Sequence, residues 1–249
     1  MKYFSVVILL LLCSFFPALQ QPEKTESTFI PKPYIFPQFG REWKNVPQGE
    51  CFTDTLYPVG WSRDGKFAYI LRSTDPVQGT GFWNFVVFDV VSDTFLMDSY
   101  YSDLELKIRT IDDVFLLHHG SDTIKKMEGR WSIVPTNVFQ FCLFPAKPGK
   151  KTPSVEHVIV RDSIKSPPYT SQFISSASIF LVPLKKEKRM LWQSNFEKPS
   201  HFTELEALGY FDCPYGDFNV AFCGIAKAEG EFAYSRVKSL FALSMTPRK

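Results

Sequence analysis

The sequence predicts an all-β fold built from antiparallel hairpins, and three observations carry this prediction. The chain of 249 residues contains 25 Phe, 10 Tyr and 5 Trp, and aromatic residues favour pleated surfaces. Short apolar runs rich in Val, Ile and Phe alternate with Gly, Pro, Asp and Ser. No long stretch shows a helical period. The predicted arrangement is a small β-propeller or propeller-like fold, with a β-sandwich as the alternative.

Composition and charge narrow the function classes. The chain is 45% hydrophobic and 22% charged, which is typical of a soluble globular domain with a packed core. Its 28 basic and 26 acidic residues give a net charge of +2, and neither sign gathers into a long block. No surface that would neutralise phosphates is therefore expected, and nucleic acid is not a predicted partner.

The N-terminus predicts export. Lys2 precedes an apolar run over 6–16, which matches the length of a signal-peptide core and falls short of the roughly 20 residues of a membrane span. Residues 1–20 are therefore predicted to be a signal peptide, which gives a periplasmic, secreted or cell-surface protein. A lipid anchor on Cys13 and an uncleaved membrane anchor are the alternatives. Membrane contact is expected through this segment alone.

The rest of the chain is predicted to form an arm and one domain. Residues 21–49 are rich in Pro and polar residues and cannot form regular structure, because proline lacks a backbone donor. The later part of this arm is expected to pack against the domain through its aromatic residues, which are Phe29, Tyr34, Phe36, Phe39 and Trp43. Residues 50–249 are predicted to be a single β-rich domain.

Ten runs within the domain have the length and composition of strands. They are 67–71, 82–91, 94–98, 114–118, 138–144, 157–160, 178–184, 189–193, 219–224 and 239–245. The segment "HFTELEALGYF" (201–211) is the nearest candidate for a helix, since Thr203 and Glu206 have capping-box spacing. Its periodic run is long enough for only a turn or two.

Two segments resemble each other in sequence. "YPVGWSRDGKFAYIL" (57–71) and "EALGYFDCPYGDFNVAFCGI" (206–225) both run from Gly and an aromatic residue through a polar turn to an aromatic-rich strand. Repeats of this kind are typical of propeller blades. The predicted structural residues of the two turns are Trp61, Asp64, Gly65, Gly209 and Gly216.

The run "WSRDGKFAYIL", followed by "FVVFDVVSDTFLMDS", resembles the repeat of periplasmic β-propellers of the TolB type. The stretch "VQGTGFWNFVVFDV" is also similar to a family of predicted secreted bacterial proteins of unknown function. The resemblance implies a β-hairpin unit and carries over no catalytic residues. Arg63 stands where such repeats usually place proline.

No catalytic residue, metal site or cofactor is predicted. "GWSRDG" is not a nucleophile elbow, because Asp64 occupies the position after Ser62 and Arg63 where that motif needs glycine. Asp64 is expected to hydrogen-bond within the turn instead. Histidine is scarce, and the adjacent His118 and His119 would point to opposite faces of a strand.

Carboxylates support an alternative function. Asp89, Asp93 and Asp98 lie within one predicted hairpin, and Asp112 and Asp113 precede another strand. Paired carboxylates in a central pocket would suit a hydrolase acting on a glycoside. Aspartate at strand ends and turns more often serves local hydrogen bonds.

The segment 73–83 is the predicted contact loop. Gln78, Gly79 and Gly81 form its crest, and the neighbouring Phe82 and Trp83 should point to opposite faces of a strand. An outward aromatic residue suits a protein or carbohydrate partner. The expected function is therefore an exported binding or interaction module. A hydrolase and a structural subunit of an envelope complex are the alternatives.

The cysteines allow two interpretations. Cys213 and Cys223 are close enough in sequence to form a disulfide across a hairpin, and an exported protein meets an oxidising compartment. Free thiols buried in the core are the other interpretation. The sequence contains no CxxC motif, which excludes a zinc ribbon of that type.

Overall fold

The computed structural model confirms the all-β prediction. It describes residues 29–36, 51–74, 80–102, 119–149, 153–166, 169–195, 202–229 and 235–246. The described strands are β1 (Cys51–Thr53), β2 (Thr55–Trp61), β3 (Lys66–Thr74), β4 (Gly81–Asp89), β5 (Thr94–Ser102), β6 (Val134–Pro135), β7 (Gln140–Cys142), β8 (Ser154–Ser166), β9 (Tyr169–Val182), β10 (Arg189–Asn195), β11 (Phe202–Asp212), β12 (Asn219–Glu229) and β13 (Ser235–Ser244). One helix, α1 (His119–Trp131), lies between β5 and β6.

The strands form three sheets. Sheet A has the order β5-β4-β3-β2-β6, sheet B the order β1-β13-β12-β11-β7, and sheet C the order β10-β9-β8. All pairings are antiparallel except that of β1 with β13.

Sheets A and B pack face to face on an aromatic core. Phe67 of sheet A stacks on Phe211 of sheet B with ring centroids 5.6 Å apart, and Tyr69 meets the edge of Phe222 at 5.4 Å. All four rings are buried. Two sheets that share one core in this way form a sandwich. The propeller arrangement is not confirmed, since the described sheets have five, five and three strands and are not repeated four-stranded blades.

Both sheets of the sandwich are also covered on their other faces. Helix α1 packs Ile124 and Met127 against the second face of sheet A, beside Trp83 and Phe85. Sheet C covers the second face of sheet B. The layers therefore run from α1 through sheets A and B to sheet C, and strands of the inner sheets are apolar on both faces, as β4 illustrates.

The helix was not predicted from the sequence. Its inward face consists of Ile124 and Met127 with the half-buried Trp131, and most of its remaining side chains are polar. Among the residues that the structure describes, no helix is long and apolar enough to cross a membrane.

The described residues of the predicted arm, 29–36, contact the β-sheets. Tyr34 donates its backbone N–H to Leu56 O at 2.7 Å, and Phe36 is buried in the core between sheets A and B. Phe29 packs on the side of helix α1. Phe39, Trp43 and the predicted signal peptide over 1–20 lie outside the described residues.

Each predicted strand that falls on described residues overlaps an observed strand, and the observed strands are generally longer. The run 138–144 contributes only the short β7, and 114–118 lies outside the described residues. The expectation of a short helical turn in 201–211 is wrong, because this segment forms β11. Its apolar residues alternate between the two faces of sheet B, with a β-bulge between Ala207 and Gly209, and the bulge disguises the strand period.

Candidate functional site

The predicted turn at Ser62 is a structural corner. Ser62 Oγ donates to Asp64 Oδ1 at 2.5 Å, and Lys66 donates its backbone N–H to Ser62 Oγ at 2.8 Å. Gly65 has a positive φ of 88°, and Trp61 is buried in the core. Hydrogen bonds from Lys66 and Ser62 hold the pKa of the Asp64 carboxyl below its ordinary value. The Ser62 hydroxyl and the Asp64 carboxyl therefore hold the turn together, and Gly65 O also accepts from the backbone N–H of Val90 at 3.0 Å.

The two similar segments occupy corresponding places in the two sheets. Each forms a hairpin, β2-β3 in sheet A and β11-β12 in sheet B, with a bulge just before Gly60 or Gly209. Each hairpin also accepts one short strand from the 134–142 segment. The sequence similarity therefore marks equivalent strands of a sandwich.

The two corners meet at one end of the sandwich. A Cβ added at Gly65 would lie 3.0 Å from the Phe218 ring, and one added at Gly216 would meet the same ring at 3.0 Å. Cys213 donates its backbone N–H to Phe218 O at 2.9 Å, as Ser62 does to Lys66 O. Phe218 thus fastens both turns together, and both are architectural.

The predicted contact loop is only partly described. Gln78 and Gly79 lie outside the described residues. Gly81, Phe82 and Trp83 begin β4. Trp83 is fully buried against helix α1, with the Arg72 guanidinium 5.2 Å from its ring centre. Phe82, on the opposite face, is half-buried. Trp83 therefore packs the core and is not exposed to a partner.

The predicted Cys213–Cys223 disulfide is not formed in the structure, and both residues are free thiols. Cys213 points into the core between sheets A and B, whereas Cys223 points toward sheet C. Side chains on opposite faces of a sheet cannot be bridged. Cys142 is also a free thiol. Burial raises the pKa of all three thiols above the ordinary value.

Two described carboxylates of the β4-β5 hairpin bind backbone groups, and the third, Asp98, lies in β5. Asp89 accepts from the backbone N–H of Val91 at 2.9 Å, and Asp93 accepts from that of Ser244 at 3.3 Å. Asp112, Asp113 and His118 lie outside the described residues. Within the described part of the chain, no group of three or more His, Cys, Asp or Glu side chains could hold a metal ion.

A groove of about 770 Å³ opens where the three sheets end together. Sequence reasoning did not find it, because it is formed by segments far apart in the chain. One wall is the β4-β5 turn of sheet A, the opposite wall is β10 of sheet C, and the floor is the end of β13 in sheet B. Its lining residues are Phe88, Asp93, Phe95, Arg189, Met190, Leu191, Trp192, Gln193, Phe241, Ala242, Leu243, Ser244 and Thr246.

Apolar side chains dominate the walls of the groove. On the side of sheet A, Phe95 packs on Phe88 at 5.2 Å and is 54% exposed. On the side of sheet C, Trp192 packs on Phe241 at 5.1 Å, and Met190 is 53% exposed at the rim. Two partly exposed apolar walls therefore face each other across the groove.

Polar groups in the groove are held by the backbone. The Arg189 guanidinium donates to Met245 O at 2.5 Å and to Thr246 O at 2.8 Å, so it fixes the chain where it leaves β13. Ser244 Oγ donates to Val90 O, which joins sheets A and B at the floor. These bonds stiffen the groove.

No protein-family model, no curated protein and no solved structure matches the chain, so the resemblance to TolB-type repeats stays a prediction.

Proposed function

We propose that this protein is an exported binding module that recognises its partner in the groove between β5, β10 and β13. The groove is the observation that supports this proposal. Ligand sites are concave, usually measure roughly 300–1,000 Å³, and combine apolar walls with a few placed polar groups. The groove of about 770 Å³ falls within this range and has that composition.

The rigid sheet scaffold also supports a binding role. Arg189, Ser244 and Asp93 are each tied to backbone groups of a neighbouring element. Such bonds lower the ordering cost of association, because the groove is already formed before the ligand arrives. The predicted contact loop is a second contact region of the same proposal, without Trp83, which is buried in the core.

A fluorescent apolar probe tests the groove directly. We expect 8-anilinonaphthalene-1-sulfonate to bind the folded full-length chain saturably. Met190→Glu and Met190→Lys should each weaken this binding, because both remove an apolar rim contact while adding opposite charges. Val138→Glu is the matched control, since Val138 is 85% exposed and lies away from the groove.

The outcome separates apolar binding from charge effects. Weaker binding in both Met190 variants, with the control unchanged, supports the groove as the site. Probe binding that ignores both substitutions, or that never saturates, overturns the proposal.

Export is tested separately from binding. The apolar run 6–16 predicts removal of about residues 1–20 on secretion. Mass mapping of the N-terminal peptide from the membrane, envelope and medium fractions of expressing cells checks this. A cleaved chain outside the cytoplasm agrees with export, a lipid on Cys13 selects the anchored alternative, and an intact N-terminus in the cytoplasm contradicts it.

A further inference from the structure

The outer edge of β13 is only partly paired. Strand β1 pairs with β13 over Arg236, Val237 and Lys238 and goes no further. In the described part of the chain, no strand pairs with this edge between Lys238 and the end of β13. Among the described strands, the edge of sheet B beyond Lys238 therefore has no partner.

The register shows which backbone groups face this open edge. Within an antiparallel ladder, N–H and C=O groups of alternate residues point toward or away from the partner strand. Leu240 donates its N–H to Asp54 Oδ2 at 2.9 Å, and Ser244 donates its N–H to Asp93 Oδ1 at 3.3 Å. Both N–H groups thus point away from β12, and since β12 pairs with β13 without a register shift, so does that of Ala242.

Ala242 therefore lies between two N–H groups that side-chain carboxylates already bind. Its own N–H and C=O point into the groove, whose floor it forms. An unpaired edge of this kind is a template for one more strand.

Resting on the proposed function above, we propose that the groove accepts an extended segment of another polypeptide by β-augmentation. The added strand pairs with Ala242 on the edge of β13 and extends sheet B. From Leu240 to Ser244 the edge spans about 14 Å at roughly 3.4 Å per residue, which is room for a segment of about five residues.

The two walls of the groove determine which side chains the bound segment can carry. Successive side chains of a strand point to opposite faces, so one set meets Phe95 on the side of sheet A and the other meets Trp192 and Met190 on the side of sheet C. Both walls are apolar, and the partner segment is therefore apolar at consecutive positions. Main-chain hydrogen bonds supply affinity and the two walls supply specificity.

The pairing already seen on this edge supports the assignment. Strand β1 pairs with β13 in parallel just before the open stretch. Asp54, which follows β1, then binds Leu240 and turns the chain away into β2. The same edge therefore binds one strand in the structure and offers a second position beside it.

A pair of synthetic peptides tests backbone pairing. The probe is acetyl-Lys-Val-Ile-Val-Phe-Val-Lys-amide, and its control has the same side chains with N-methyl groups on all five central residues, so that these residues lack backbone donors on both edges. We expect the control to bind at least about fivefold more weakly, because two lost hydrogen bonds cost on the order of 1–3 kcal/mol.

Amide hydrogen exchange locates the binding. In the free full-length chain, the Ala242 amide should exchange faster than those of Phe241 and Leu243, which point toward β12. The unmodified peptide should slow exchange at Ala242 by at least about tenfold, with no effect at Val237.

Peptide binding, amide exchange and fluorescent-probe binding together distinguish β-augmentation from apolar binding in the groove. Equal binding of the two peptides, or binding without protection of Ala242, overturns β-augmentation and leaves an apolar groove in place. So does an Ala242 amide that is already protected in the free chain, since the edge is then occupied. If neither peptide binds while the fluorescent probe does, only the strand inference falls. If none of the three ligands binds, both proposals fall.

Discussion

Replacing Gly209 by alanine adds one methyl group and should lower the free energy of unfolding. It lies in β11 with a φ of 148°, a conformation that side-chain-bearing residues rarely adopt. A Cβ there would stand 2.5 Å from Cys142 O and would also overlap the Phe141 ring. Strand β7 therefore pairs with β11 at a distance that only glycine permits.

The expected cost of Gly209→Ala has two parts. Overpacking against well-packed neighbours costs about 1–3 kcal/mol, and the strained backbone costs about 1–3 kcal/mol. The smaller chain entropy of unfolded alanine returns about 0.4–1 kcal/mol. The free energy of unfolding should fall by about 1–5.5 kcal/mol, which for a chain of this size lowers Tm by about 2–20 °C.

Thermal and urea unfolding, followed by circular dichroism, measure this change. Gly129→Ala is the matched control, because no atom lies within 4 Å of its added Cβ, and helix α1 should gain about 0.5–1 kcal/mol. Gly60→Ala separates the two terms, since its Cβ overlaps Val134 O without a strained φ. A Gly209→Ala protein within about 0.5 kcal/mol of the parent would refute the close approach of β7 to β11.

Three further predictions follow from the corners and the thiols. Cys213 and Cys223 should resist alkylation at pH 8 until the chain unfolds, because burial raises the pKa of both thiols. Peptide mass mapping measures the alkylation of each thiol. An unchanged mass of the intact protein on reduction excludes a disulfide between them. Asp64→Asn should cost less than about 1 kcal/mol at pH 7, since the Asp64 side chain is 65% exposed. The hydrogen bonds that lower the Asp64 pKa stabilise the fold at pH values above the unfolded pKa of about 3.9. This stabilisation is lost as pH falls through the folded pKa, so the urea midpoints of the parent and the variant should converge below pH 4. Phe218→Ala should cost about 3–5 kcal/mol as both turns lose their shared ring, and a loss under about 1 kcal/mol would contradict the joined corners.

The all-β class was predictable because local composition decides it. Runs such as 67–71 and 189–193 carry their strand signal in a few β-branched or aromatic residues and end at turn residues. The corner at Asp64 and Gly65 was predictable for the same reason, since its hydrogen bonds join residues at most four positions apart. Structural features that depend on residues close together in the sequence can therefore be predicted from sequence patterns.

Helix α1 and strand β11 were not predicted because their patterns of apolar residues are irregular in the sequence. In α1 the buried positions are few, and Ile124 and Met127 are surrounded by Lys, Glu and Gly. In β11 the bulge at Gly209 shifts the alternation, so that Leu205 and Tyr210 share one face while Leu208 and Phe211 share the other. Tertiary packing chose the structure in both segments.

The sequence similarity of the two hairpins favoured a β-propeller over a β-sandwich. A repeated hairpin predicts blades when the copies stand side by side, but these copies face each other, with Phe67 stacked on Phe211. Sequence similarity reports that two units share a local fold and does not report how they are placed. The buried aromatic residues are compatible with either placement, and only long-range contacts distinguish the two.

The groove depends on a quantity that no local pattern contains, the difference in length between neighbouring strands. Strand β13 extends to Ser244, whereas β1 pairs with it only as far as Lys238. Because the β4-β5 turn of sheet A and β10 of sheet C line the two sides of this stretch, it lies in a walled groove. A longer β1 would fill the edge and remove both the floor at Ala242 and the space above it. The binding site proposed for this chain therefore follows from the place where β1 ends, which is fixed by Asp54 binding Leu240 and directing the chain into the opposite sheet.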